Sequence, residues 1–141
     1  MADLASLIRL RRHTVEEKQK VLADIYRQVE KIEEEKISLF DRLQKEREAM
    51  EADLTLETRE YYGRFKSVVE NAIEKLNIQL KELETRLNLA QEEVRAAFAD
   101  MKRVEIVHKR RLAEEQAEID SKETSEMDAI GIEGFRRKEE I

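Results

Sequence analysis

Residues 69–104 read VENAIEKLNIQLKELETRLNLAQEEVRAAFADMKRV. Val69, Ile73, Leu76, Leu80, Leu83, Leu87, Ala90, Val94, Ala97, Met101 and Val104 fall on alternating steps of four and three without a break. Such steps average 3.5 residues, the period of a coiled-coil seam. They place one apolar stripe along one face of a helix, and a second helix must cover it. A half-buried strand needs period two, which the stretch lacks.

The covering helix lies upstream. With Leu4 as the first seam position, the same steps reach Ile8, Val15, Leu22, Ile25, Val29, Ile32, Leu39, Leu43 and Met50, interrupted at Arg11, Lys18, Lys36, Glu46 and Asp53. Residues 51–60 fit neither phase. Folding the chain back sets Leu4 opposite Val104 to Ile106, so paired residue numbers sum to about 110 and the turn centres near residue 55. Asp53 and Thr55 stand there as N-caps for the second helix. A turn at Gly63 would instead put Leu4 beside Lys122, beyond the apolar stripe. Each arm extends for roughly 70 Å at 1.5 Å per residue.

The expected fold is therefore all-α, a long antiparallel two-helix coiled-coil hairpin over residues 1–130. Helix 1 is expected at about 3–52, the turn at about 53–57 and helix 2 at about 58–128. Gly131 and Gly134 predict the end of the helix and a frayed, flexible tail over 131–141. Composition agrees. The 141 residues contain no proline, cysteine or tryptophan, and alanine, leucine, glutamate, lysine and arginine make up more than half of them. The β-branched and aromatic runs of an all-β fold are missing. No stretch approaches a membrane span, and the start lacks the apolar core of a signal peptide. A cytosolic protein is expected.

Catalysis needs groups that converge in a partly dry concavity, which two paired helices do not offer. There is no glycine-rich phosphate loop and no metal motif, so neither an enzyme nor a cofactor is expected. His13 and His108 read as surface or seam-edge residues, and Glu33, Glu34 and Glu35 as a solvated face. Acid-to-base pairs four residues apart, such as Glu16/Lys20 and Glu82/Arg86, support exposed faces and carry no functional information.

Charge placement says more. Arg9, Arg11 and Arg12 near the start, and Lys102, Arg103, Lys109, Arg110 and Arg111 where the second seam ends, meet at the open end of the hairpin. Glu114, Glu115, Glu118, Asp120, Glu123, Glu126 and Asp128 follow, opposed by Lys122 alone. The basic zone is either a solvated helix surface or a docking patch for an acidic protein surface. The net charge of −6 and the adjoining acidic block work against nucleic acid. Phe40, Tyr61, Tyr62 and Phe65 either close the tip or anchor a partner. A single seam must also offset the ordering of a long chain, which favours a partner.

SLIRLRRHTVEEKQKVLADI (residues 6–25), AAFADMKRVEIVHKRRLAEEQAEID (96–120) and MDAIGIEGFRRK (127–138) together resemble flagellar export proteins of the FliJ family, particularly the shorter alphaproteobacterial forms. The resemblance covers nearly the whole chain, and the LIRLRR opening and the tail carry its discrimination. It implies a non-enzymatic hairpin that looks like the central stalk of rotary ATPases. Its paired termini engage the hexameric export ATPase. Its body contacts the membrane-embedded export gate and the chaperones of late substrates, at the cytoplasmic face of the inner membrane and without insertion. Flagellum assembly and motility are the processes implied. On this reading Leu4, Leu7, Arg9, Arg11, Arg12, Arg110 and Arg111 are candidate ATPase contacts. Phe40, Tyr61, Tyr62 and Phe65 are candidates for the gate-facing surface. The stalks of injection-type secretion systems share the architecture. A structural coiled coil that self-associates is the other alternative.

Overall fold

The computed structural model describes residues 4–139. Helix α1 spans Leu4–Ala52 and helix α2 spans Leu56–Glu139, with no strand among the described residues. The fold is an all-α helical hairpin.

The reversal occupies Asp53, Leu54 and Thr55. The Asp53 N–H still donates to the Met50 carbonyl at 3.2 Å, closing α1. Thr55 caps α2. Its Oγ1 accepts from the Thr58 N–H at 3.3 Å, and its carbonyl accepts from the Arg59 N–H at 3.1 Å. The Asp53 carboxylate braces the cap, accepting from the Thr55 N–H at 3.4 Å and the Thr58 hydroxyl at 3.2 Å. Otherwise unsatisfied N–H groups of the first turn thus find acceptors, and Glu57 adds negative charge beside the helix N-terminus. This cap starts α2 at Leu56, slightly ahead of the expected position.

Internal contacts group the chain into two units, Thr14–Ala97 and the residues up to His13 together with those from Phe98 onward. In the Thr14–Ala97 unit the helices pack antiparallel, with Lys18 on Glu93, Tyr26 on Gln91 and Arg42 over Phe65. Its core centres on Ile25, Leu83 and Ala90, flanked by Leu22, Val29, Ile32 and Leu87. Alanine at 90 and 97 leaves room for close helix approach there. Lys18, Lys36 and Glu46 break the apolar pattern yet sit half-buried in the same frame. In α2 the half-buried face continues back through Phe65, Tyr62 and Thr58, but by two successive steps of four at Phe65–Val69–Ile73, so the strict frame, which would reach Lys66 and Arg59, slips by one residue there. Among the described residues no side chain falls below 2% exposure, so the core is thin.

In the other unit, Leu4 and Leu7 lie against Arg103, Val104 and Val107, and Met101 is buried. From Lys109 to Glu139 every residue is exposed. This unit corrects the expected helix end. α2 passes through Gly131 and Gly134 and continues to Glu139. A helical glycine costs about 1 kcal/mol relative to alanine, which lowers helix stability without ending the helix. Both glycines have open space where a Cβ would stand, and no glycine has positive φ, so neither forms a left-handed stop. Arg136, Arg137 and Lys138 in the last turn also suit the negative end of the helix dipole. Asp3, the expected first helical residue, and the last two residues of the expected tail lie outside the described residues.

Candidate docking surface

The basic residues singled out near the start and after the seam all belong to the unit that joins residues up to His13 with those from Phe98 onward. Their helical setting fixes their spacing, and the seam fixes which of them are held. Glu105 is the hub. Its carboxylate, 24% exposed, accepts from Lys102 Nζ at 3.0 Å and lies 3.9 Å from Arg12 Nη2. Lys102 also sits over the Phe98 ring, 5.3 Å from its centroid, and Arg103 pairs with Asp100 at 3.0 Å. Arg9 donates to Ser6 Oγ at 3.1 Å. These contacts on an exposed surface each contribute little to stability, but they hold the charges in place.

Arg11, Lys109, Arg110 and Arg111 are exposed and have no ion-pair partner among the described residues. The same unit holds an apolar groove of about 250 Å³ lined by Leu4, Leu7, Arg103, Val104 and Val107. The structure therefore gathers Leu4 and Leu7 into a groove, places Arg12 beside Glu105, and leaves Arg11, Arg110 and Arg111 open. Val104 and Val107 belong to the groove, although the sequence reading did not single them out. Val104 was legible as the last seam residue. Val107 lies off the strict frame and gave no signal.

The aromatics divide. Phe40 and Tyr61 are exposed, at 51% and 50%. Tyr62 and Phe65 are half-buried. Tyr61 stacks on Phe65 with centroids 6.2 Å apart, and the Arg42 guanidinium lies 6.0 Å from the Phe65 centroid. Sequence spacing alone did not separate the two pairs, because two successive steps of four at Phe65–Val69–Ile73 break the alternation that the seam keeps beyond Val69.

Among the described residues no cluster of His, Asp and Glu could hold a metal ion, and no helix is long and apolar enough to cross a membrane. A protein family described as Flagellar FliJ protein matches residues 1–140. No curated protein and no solved structure matches the chain significantly.

Proposed function

The chain belongs to the FliJ family and is a component of flagellar type III protein export, and from that premise we propose that it acts as a non-enzymatic stalk docking on the hexameric export ATPase. The observation that carries the docking end is the set of unpaired cations, Arg11, Lys109, Arg110 and Arg111, in the unit that also holds the Leu4–Leu7 groove. An apolar groove with charges nearby offers both a desolvated anchor and electrostatic steering toward an acidic surface. Leu4, Leu7, Arg9, Arg11, Arg12, Arg110 and Arg111 are the proposed contacts.

The stalk links the ATPase to the export gate and meets export chaperones at the cytoplasmic face of the inner membrane. Phe40 and Tyr61 present exposed rings suited to the gate-facing surface. Tyr62 and Phe65 support that surface from the seam. Capture of the cognate ATPase by the full chain tests the docking end. Arg9→Glu, Arg11→Glu and Arg12→Glu together should weaken capture by about tenfold or more, since each reversal replaces attraction by repulsion. Undiminished capture by the triple variant would remove this end from the interface.

A further inference from the structure

The end of α2 carries an apolar stripe that no other described residue covers. Met127, Ile130 and Phe135 are 73%, 71% and 65% exposed. With Gly131 and Gly134 they recur at steps of three and four along one side of the helix. At 100° per residue the five positions span about 140°. Measured from the centre of that span, Ile130 and Gly134 lie on one half, at about −70° and −30°, and Phe135 and Gly131 on the other, at about +70° and +30°. Ile132 and Glu133 stand about 130° off the centre, to either side, and point away. On the Phe135 half an open recess of about 450 Å³ lies among Met127, Asp128, Gly131, Ile132 and Phe135. Leu4, the first described residue of α1, lies against Val104 and Val107, about 30 Å along α2 from Met127 at 1.5 Å per residue, so the described part of α1 does not reach this face. A helix with two interior glycines and no packed face is marginal in water, which calls for a partner.

We infer that residues 126–138 of α2 pair with the same residues of a second copy of the chain, antiparallel, about a two-fold axis between Ile132 and Glu133. Gly131 of one copy then stands level with Gly134 of the other. A two-fold axis across the pair sets each half of one stripe beside the same half of the other. Ile130 of one copy therefore enters the gap at Gly134 of the other, and Phe135 enters the recess at Gly131. Charge selects the direction. Glu126 and Arg137 share one flank of the stripe, at about −110° and −90°, and Asp128 stands on the other at about +90°. These three and Lys138 have no ion-pair partner among the described residues. Antiparallel pairing brings Arg137 beside Glu126 of the other copy, and Lys138 beside its Asp128. A parallel pair would set Lys138 against Lys138 near the centre line and Glu126 beside Asp128. Because bulk matches gap and base matches acid within one segment, the segment is its own complement, and a second copy is the occupant. The overlap is about 18 Å long, well short of a standard interface, so the dimer is weak and forms with concentration. The stripe shares no residue with the proposed ATPase contacts, and the pairing does not depend on them.

Sedimentation equilibrium of the full chain alone tests the pairing without any ATPase. The mass should rise from 16.7 kDa toward twice that as the concentration goes from about 10 µM to about 500 µM, the range of a small interface. Gly131→Leu is the most telling variant. Nothing lies within 4 Å of an added carbon there, and leucine favours the helix over glycine, so circular dichroism should show equal or greater helicity. Filling the gap should nevertheless weaken the dimer by about tenfold or more. An unspecific apolar contact would instead strengthen with the added leucine. Arg137→Glu should weaken the dimer by about threefold or more, and so should Glu126→Arg, whereas the chain carrying both should recover. In a parallel pair Glu126→Arg would tighten the dimer, because it relieves the contact with Asp128. A single-chain mass up to about 500 µM, a Gly131→Leu chain that associates as well as the original, a tighter dimer with Glu126→Arg, or a double variant no stronger than the single ones would each overturn the pairing.

Discussion

Ile25 is 3% exposed and forms a buried cluster with Leu83 and Ala90. Ile25→Ala removes its methyl groups from a seam that only one other helix covers. A two-helix seam can close part of the void, so the loss should fall toward the low end of the usual range of about 2–5 kcal/mol. Urea titration followed by circular dichroism measures it. Ile78→Ala, at a position 54% exposed, should stay within about 0.5 kcal/mol. An equal loss at both positions would mean the seam is not where the stability resides. Two backbone-level changes act in opposite directions. Thr55→Ala deletes the hydroxyl that accepts from the Thr58 N–H and should cost about 1 kcal/mol. Gly63→Ala should gain about 0.5–1 kcal/mol, because the position is helical and nothing lies within 4 Å of the added carbon.

At the scale of the helix, α2 is not uniform. Residues 69–101 include most of the buried positions, whereas residues 109–139 bury none. Amide hydrogen exchange should follow that division. Amides of 109–139 should exchange well before those of 69–101. Uniform protection along α2 would contradict the exposure pattern. The helix also shows which features a sequence can and cannot reveal. The run from Val69 to Val104 was legible because every seam position is apolar. Tyr62, Phe65 and Thr58 extend the half-buried face but were hidden by the one-residue slip at Phe65–Val69–Ile73 and by mixed chemistry at those positions. Lys18, Lys36 and Glu46 looked like interruptions, since residue type does not reveal that a long charged side chain can be half-buried along a seam. Gly131 looked like a stop because glycine is common past helix ends. That role needs a left-handed residue, and none is present among the described residues. In the docking unit, the basic cluster was visible as composition. The division into held cations around Glu105 and Asp100 and open ones at Arg11, Lys109, Arg110 and Arg111 depends on side-chain reach across and along the helices, which spacing alone does not specify.

For the molecule as a whole, the connectivity of the seam separates a chain that folds on itself from one that exchanges helices with a neighbour. Within the Thr14–Ala97 unit, Leu22 of α1 and Leu87 of α2 pack against the same Ile25, Leu83 and Ala90 cluster. The short reversal at Asp53–Thr55, with its cap and bracing carboxylate, turns α2 back on α1 of the same chain. Opening that loop into continuous helix would forfeit the cap and leave each seam to find its cover on another copy, at the entropic cost of association. A chain carrying both Leu22→Cys and Leu87→Cys, treated with a short thiol crosslinker, should therefore form an intrachain bridge whose yield does not change on dilution. Covalent dimers arising specifically from Leu22–Leu87 linkage, with a yield that falls on dilution, would instead show that two chains exchange α2. The self-covered seam would then be wrong.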